Sequence, residues 1–183
     1  MRLETVPEAK WADLDSIATD GTAAMWRNEP MLRAMADDGI TDGAVEKSGL
    51  GLSPSGALQL PVWNHKPFES DLIDLCLFPL DEPDQWALWN VRGRVLGADH
   101  LYAAQFTAHA LPLYVHENPL EWLRDGCRGT VVLFPSTLAT ELLGVKTIVV
   151  AENFAPRCSA MFRRWKIDAP RILLRASEKA VAA

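Results

Sequence analysis

The sequence predicts an α/β fold, with a small parallel sheet in its C-terminal part, an antiparallel hairpin before it and a helical region at the N-terminus. Three observations carry this. After residue 111, short continuous apolar runs alternate with segments that open on capping residues and close on glycine, and strands alternating with helices at this spacing pair in parallel through crossovers. Before them, two apolar runs flank an Asp81-Glu82-Pro83-Asp84 turn. The first 38 residues show helix-opening prolines and apolar spacing of helical period. With 183 residues, 49% of them hydrophobic and 23% charged, the chain has enough apolar surface to offset the entropy of folding.

In chain order, Pro7 opens a first helix with Trp11, Leu14 and Ala18 on one face. Pro30 sits in the first turn of a second, which runs through Met31, Leu32 and Met35 to a stop near Gly39. From Gly39 to Pro61 the frequency of Gly, Ser and Pro predicts a turn-rich connection. Residues 1–60 therefore read as a helical region with its connection, and 61–183 as the α/β core. Within that core, 71–78 and 85–91 form the hairpin. Trp86 and Trp89 are an odd number of positions apart, so in a regular strand they face opposite sides and make no common aromatic platform.

The last third is the most regular. Residues 113–116 form a strand, after which Asn118, Pro119 and Glu121 supply an N-cap, a proline in the first helical position and a capping-box glutamate. That short helix stops at Gly126. Residues 130–134 make the second strand, Ser136 caps a helix that Gly144 ends, and 147–151 make the third. A helix over 156–165 and a strand over 171–174 complete the alternation. Such continuous apolar strands are expected to be buried on both faces.

Charge is unevenly placed. The net charge is -6, but residues 1–154 hold 11 Lys/Arg against 22 Asp/Glu, whereas 155–183 hold 7 against 2. The acidic majority opposes non-specific adhesion to nucleic acid or anionic membrane. The basic tail allows a local nucleic-acid contact through Arg157, Arg163, Arg164 and Lys166, or simply complements a helix dipole where the last three residues end the helix. Met1-Arg2-Leu3-Glu4-Thr5 lacks the apolar stretch of a signal peptide, and no run reaches the length of a membrane span. The expected location is cytoplasmic, with no membrane partner. Cys76, Cys127 and Cys158 are widely spaced and form no Cys-x-x-Cys pair, so they read as small buried hydrophobes.

Several catalytic patterns are missing. The glycines at 49, 51 and 56 lack both the third glycine of a dinucleotide fingerprint and the Gly-Lys-Ser/Thr of a phosphate loop. His65, His100, His109 and His116 form no i, i+4 pair. Ser136 lacks the flanking glycines of a nucleophile elbow. What does attract attention is the carboxyl end of the sheet, where open α/β folds bind ligands. The first strand ends in His116-Glu117-Asn118 and the third in Glu152-Asn153. If these strands are neighbours, Glu117 and Glu152 start from backbones about 5 Å apart and can share Mg²⁺, which would hold and polarise a phosphate. His116, Asn118 and Asn153 then line the same crevice. In the alternative, Glu117 helps to cap its helix and Glu152 is solvated.

The stretch from Val115 through Glu121, together with Val149-Val150-Ala151-Glu152-Asn153-Phe154, resembles the two motifs of the Toprim domain of primases and topoisomerases. The resemblance covers about 111–175, implies a Toprim/Rossmann-like core, and extends to small bacterial and mobile-element proteins with such a domain. Glu117 takes the place of the family glutamate. Asn118 replaces the family glycine, Glu152 the first aspartate, and Phe154 stands where the second aspartate belongs. The resemblance therefore implies an accessory or interaction protein in nucleic-acid metabolism, with a protein partner, no resident cofactor and no phosphoryl transfer. Two alternatives stand beside it: a Mg²⁺-dependent nuclease- or primase-like enzyme using Glu117 and Glu152, and a protein-binding domain without a nucleic-acid role, for which the acidic body argues.

Overall fold

The structure is a computed structural model that describes residues 12–66, 69–107 and 111–175. It is mixed α/β, as expected, and divides into two compact units: one comprises the residues up to Gly93 with Leu123–Cys127, the other Arg94–Trp122 with the residues from Arg128 onward. The division thus falls later than the change of composition near residue 60. Pro7, Trp11 and His109 lie outside the described residues. Among the described residues no helix is long and apolar enough to cross a membrane.

The first unit opens with α1 (Ala12–Trp26), α2 (Glu29–Asp37) and α3 (Asp42–Ser48). The second begins on Asn28, whose side chain accepts the Met31 N–H, with Pro30 in its first turn. The third helix corrects the expected turn-rich connection: Thr41 caps it by accepting the Ala44 N–H, and Gly49 ends it in the left-handed conformation. Strands β1 (Gly51–Leu52), β2 (Leu58–Lys66), β3 (Glu69–Phe78) and β4 (Ala87–Leu88) form an antiparallel sheet in that order. Leu58, Leu60 and Val62 alternate onto a fully buried face, the period-2 pattern of a strand.

The expected hairpin of 71–78 with 85–91 is corrected in its partner. The long partner of β3 is β2, and β4 is only two residues, paired through Cys76 with Leu88 and Leu77 with Ala87. Asp74 explains the short strand. Its fully buried carboxylate accepts the N–H groups of Leu75, Asn90, Arg92 and Gly93, which wraps 90–93 around the side chain instead of extending it along β3. Trp86 and Trp89 consequently do not lie on one regular strand.

Beyond Gly93 the chain forms β5 (Val95–Leu96), α4 (Ala98–Phe106), β6 (Leu113–His116), α5 (Pro119–Arg124), β7 (Thr130–Val132), α6 (Leu138–Glu141), β8 (Thr147–Ala151), α7 (Ala155–Trp165) and β9 (Arg171–Arg175), all in the second unit except the last two residues of α5. Its sheet has the order β5-β7-β6-β8-β9, with β5 antiparallel and the other four strands parallel. Val115, Val132, Ile148 and Val150 on one face pack with Leu101 of α4, Leu138 of α6, and Cys158 and Phe162 of α7. Burial on both faces holds for β7 and the centre of β8 but not for β9, which lies at the sheet edge and is only half covered. Close approach at the β6–β7 ladder needs glycine: Gly129 has φ +81°, and a Cβ there would stand 2.2 Å from the Tyr114 carbonyl oxygen. Ser136 is not the expected cap. It lies inside a 3-10 turn, Pro135–Thr137, that precedes α6, and neither element has a side-chain cap.

Candidate functional site

From β6 the chain passes through α5 to β7 on one side, then returns through α6 to β8 on the other. The strand order therefore reverses between β6 and β8, and connections that diverge at such a point leave room for a ligand beyond the carboxyl ends. The strands that carry Glu117 and Glu152 are neighbours. Their register pairs Leu113 with Ile148 and Tyr114 with Val149, and the same offset carried to the strand ends sets Glu117 level with Glu152. Glu152 and Asn153 are exposed in the turn that leads into α7.

The other two crevice candidates serve the fold. Asn118 is buried, and its Oδ1 accepts the Glu121 N–H at 3.0 Å, so the cap of α5 falls to Asn118 rather than Glu117. His116 is also buried, with Nε2 2.8 Å from the Arg128 carbonyl oxygen. A carbonyl can only accept, so the bond assigns the proton to Nε2.

Glu117 has a partner from the same chain. Arg157 Nη1 donates to Glu117 Oε1 at 2.6 Å, with the two side chains 54% and 26% exposed. The contact follows from topology: α7 starts directly after β8, and β8 lies beside β6, so a side chain in the first turn of α7 reaches across the switch point. Exposure limits its contribution to under about 1 kcal/mol. Its chemical effect is larger, because one carboxylate oxygen now faces a fixed guanidinium. Phe154, the next residue after Asn153, is buried in the core. Among the described residues, no group of three or more His, Cys, Asp or Glu side chains is gathered as a metal site. A hard divalent cation needs several oxygens, and an exposed Glu152 beside an engaged Glu117 does not supply them.

The remaining basic candidates do not join Arg157. Helix α7 runs from the carboxyl end of β8 to the amino end of β9, and its 11 residues rise about 16 Å. Arg163, Arg164 and Lys166 therefore lie at the far end, all exposed. Lys166 ends the helix in the left-handed conformation, where its N–H bonds to the Arg163 carbonyl and the Ile167 N–H to that of Phe162. Arg171 opens β9 at the same end of the sheet, its N–H donating to the Lys146 carbonyl at 2.9 Å. No carboxylate among the described residues pairs with Arg163, Arg164, Lys166 or Arg171. Trp165, to which the sequence analysis assigned no role, follows Arg163 and Arg164 in the chain and is half exposed, and its indole N–H donates to the Ser136 carbonyl at 3.0 Å. The signal available in the sequence was the run Arg163-Arg164-Trp165-Lys166.

All three cysteines are free and buried. Burial pushes the Cys127 and Cys158 thiols up to about 11, and Cys76 is raised further by burial and then by the Asp74 charge. Such thiols are neutral and poor nucleophiles at ordinary pH. No family model, curated protein or solved structure matches this chain.

Proposed function

We propose that the second unit is a Toprim-like module that binds nucleic acid without processing it, and that the protein acts as an accessory factor in nucleic-acid metabolism together with a protein partner. The observation that carries this reading is the Arg157–Glu117 pair at the switch point. In the domain that the motifs resemble, that glutamate and two aspartates face a divalent cation. Here a guanidinium supplies the positive charge, and Phe154 lies in the core at the second aspartate position. The cations at the far end of α7 form no ion pair among the described residues and suit a polyanion, while the acidic remainder of the chain limits non-specific adhesion.

Titration of the purified protein with Mg²⁺ and Mn²⁺ by calorimetry, beside a Glu117→Gln, Glu152→Gln double variant, tests the non-catalytic part. No heat of binding at low millimolar metal is expected. Binding that the double variant abolishes would overturn this part in favour of a metal-dependent phosphoryl-transfer enzyme. Nucleic-acid binding is tested separately: affinity should fall steeply with salt and on Arg163→Ala with Arg164→Ala. Absence of binding at low salt would favour a purely protein-binding domain.

A further inference from the structure

We propose that the last turn of α7 is a stacking platform for single-stranded nucleic acid, with Trp165 as the ring on which a base stacks and Arg163, Arg164, Lys166 and Arg171 as phosphate contacts. The proposal rests on the nucleic-acid reading above and names the form of the ligand and a surface that the sequence motifs do not include.

Two features of Trp165 support it. Half of a large aromatic side chain is left in water, although burial would be favourable. The ring is also tethered: its N–H bond to the Ser136 carbonyl joins the end of α7 to the 3-10 turn before α6, 29 residues away. A tethered ring has lost much of its rotational freedom before any ligand arrives, so ordering it adds little cost on binding.

The surroundings select the ligand. Arg164 and Lys166 flank the ring in sequence, the left-handed turn at Lys166 sets the direction in which the chain leaves, and Arg171 opens the strand that follows. These positive charges have no carboxylate partner among the described residues. A single strand offers both a negative phosphate and an open aromatic face in each nucleotide, and stacking on a protein ring is tolerant of sequence. A duplex presents phosphates but keeps its base faces stacked inside. An acidic peptide presents charge with few planar faces.

The test is fluorescence anisotropy with the full chain, using a labelled 20-nucleotide oligo-dT and the corresponding dT·dA duplex at 50 mM salt. Oligo-dT should bind at least tenfold more tightly than duplex. Trp165→Ala should weaken oligo-dT binding about tenfold with the salt dependence unchanged, whereas Trp165→Phe should retain most of the affinity. Arg163→Ala with Arg164→Ala should instead reduce the slope of log affinity against log salt by about 1.4, or roughly 0.7 per phosphate contact. Thermal unfolding of each variant separates loss of the surface from loss of the fold. Wild-type affinity in a folded Trp165→Ala variant, or equal affinity for duplex, would overturn the platform and leave the nucleic-acid reading standing. Absence of oligo-dT binding at low salt would overturn both.

Discussion

The two ends of helix α7 carry the same kind of residue in opposite circumstances. At its start, Arg157 lies beside the end of β6 and is neutralised by Glu117. At its end, Arg163, Arg164 and Lys166 have no carboxylate partner among the described residues and neighbour a half-exposed indole in sequence. An arginine's role is set by what the fold brings to it: the first is paired with a strand-end carboxylate, and the others stand exposed at the helix end. The four basic residues that the sequence groups together fall towards opposite ends of the helix, with Arg163 about 9 Å along the axis from Arg157.

Mutation can break this comparison, and a third charged group gives it a scale. Asp74 is fully buried and holds four backbone N–H groups. Asp74→Ala strands those donors and should cost about 4 kcal/mol in urea unfolding; a loss below about 1 kcal/mol would mean that other contacts hold the 90–93 loop. Next in size is a contrast in binding. Arg163→Glu with Arg164→Glu should lower oligonucleotide affinity by well over tenfold at 50 mM salt, while Glu117→Gln should leave it within about twofold. The reverse result would move the nucleic-acid surface to the switch point.

Between the two ends, the buried face of α7 carries Cys158, whose thiol burial raises to about 11, against about 8.5 in an unfolded chain. The folded state thus holds that proton more tightly. The corresponding stability is fully present below about pH 8.5 and is lost as pH rises towards 11. Unfolding midpoints at pH 8 and pH 10 should therefore differ less in Cys158→Ala than in wild type. The smallest effect is expected at the exposed pair: Arg157→Ala or Glu117→Gln should change stability by only about 0.5 kcal/mol, read by thermal unfolding. A loss of several kcal/mol would show that the pair is structural rather than a replacement for bound charge.

Much of the second unit was legible because its signals are local. The 113–116 strand, the Asn118 cap and the 147–151 strand each depend on residues within a few positions of one another. In the first unit, local signals misled. Pro61 reads as a strand breaker, yet β1 covers only Leu58 and Gln59, so at Pro61 strand β2 is an edge where proline is tolerated. The Thr41 cap of α3 was hidden in a stretch whose glycines and serines suggested only turns.

The sequence by itself determined the α/β class, the alternation of strand and helix after residue 111, the acidic body with its basic tail, and which carboxylates end the strands. Tertiary structure alone decided that β6 and β8 adjoin, that Arg157 closes on Glu117 from 40 residues away, that Asp74 ends a strand by gathering N–H groups up to 19 residues on, and that Trp165 is tied to Ser136. Caps, turns and hydrophobic period act over a few residues and are written into neighbouring side chains. The partner of a charge or of an indole N–H depends on which distant segments the fold makes neighbours, and no local pattern encodes that.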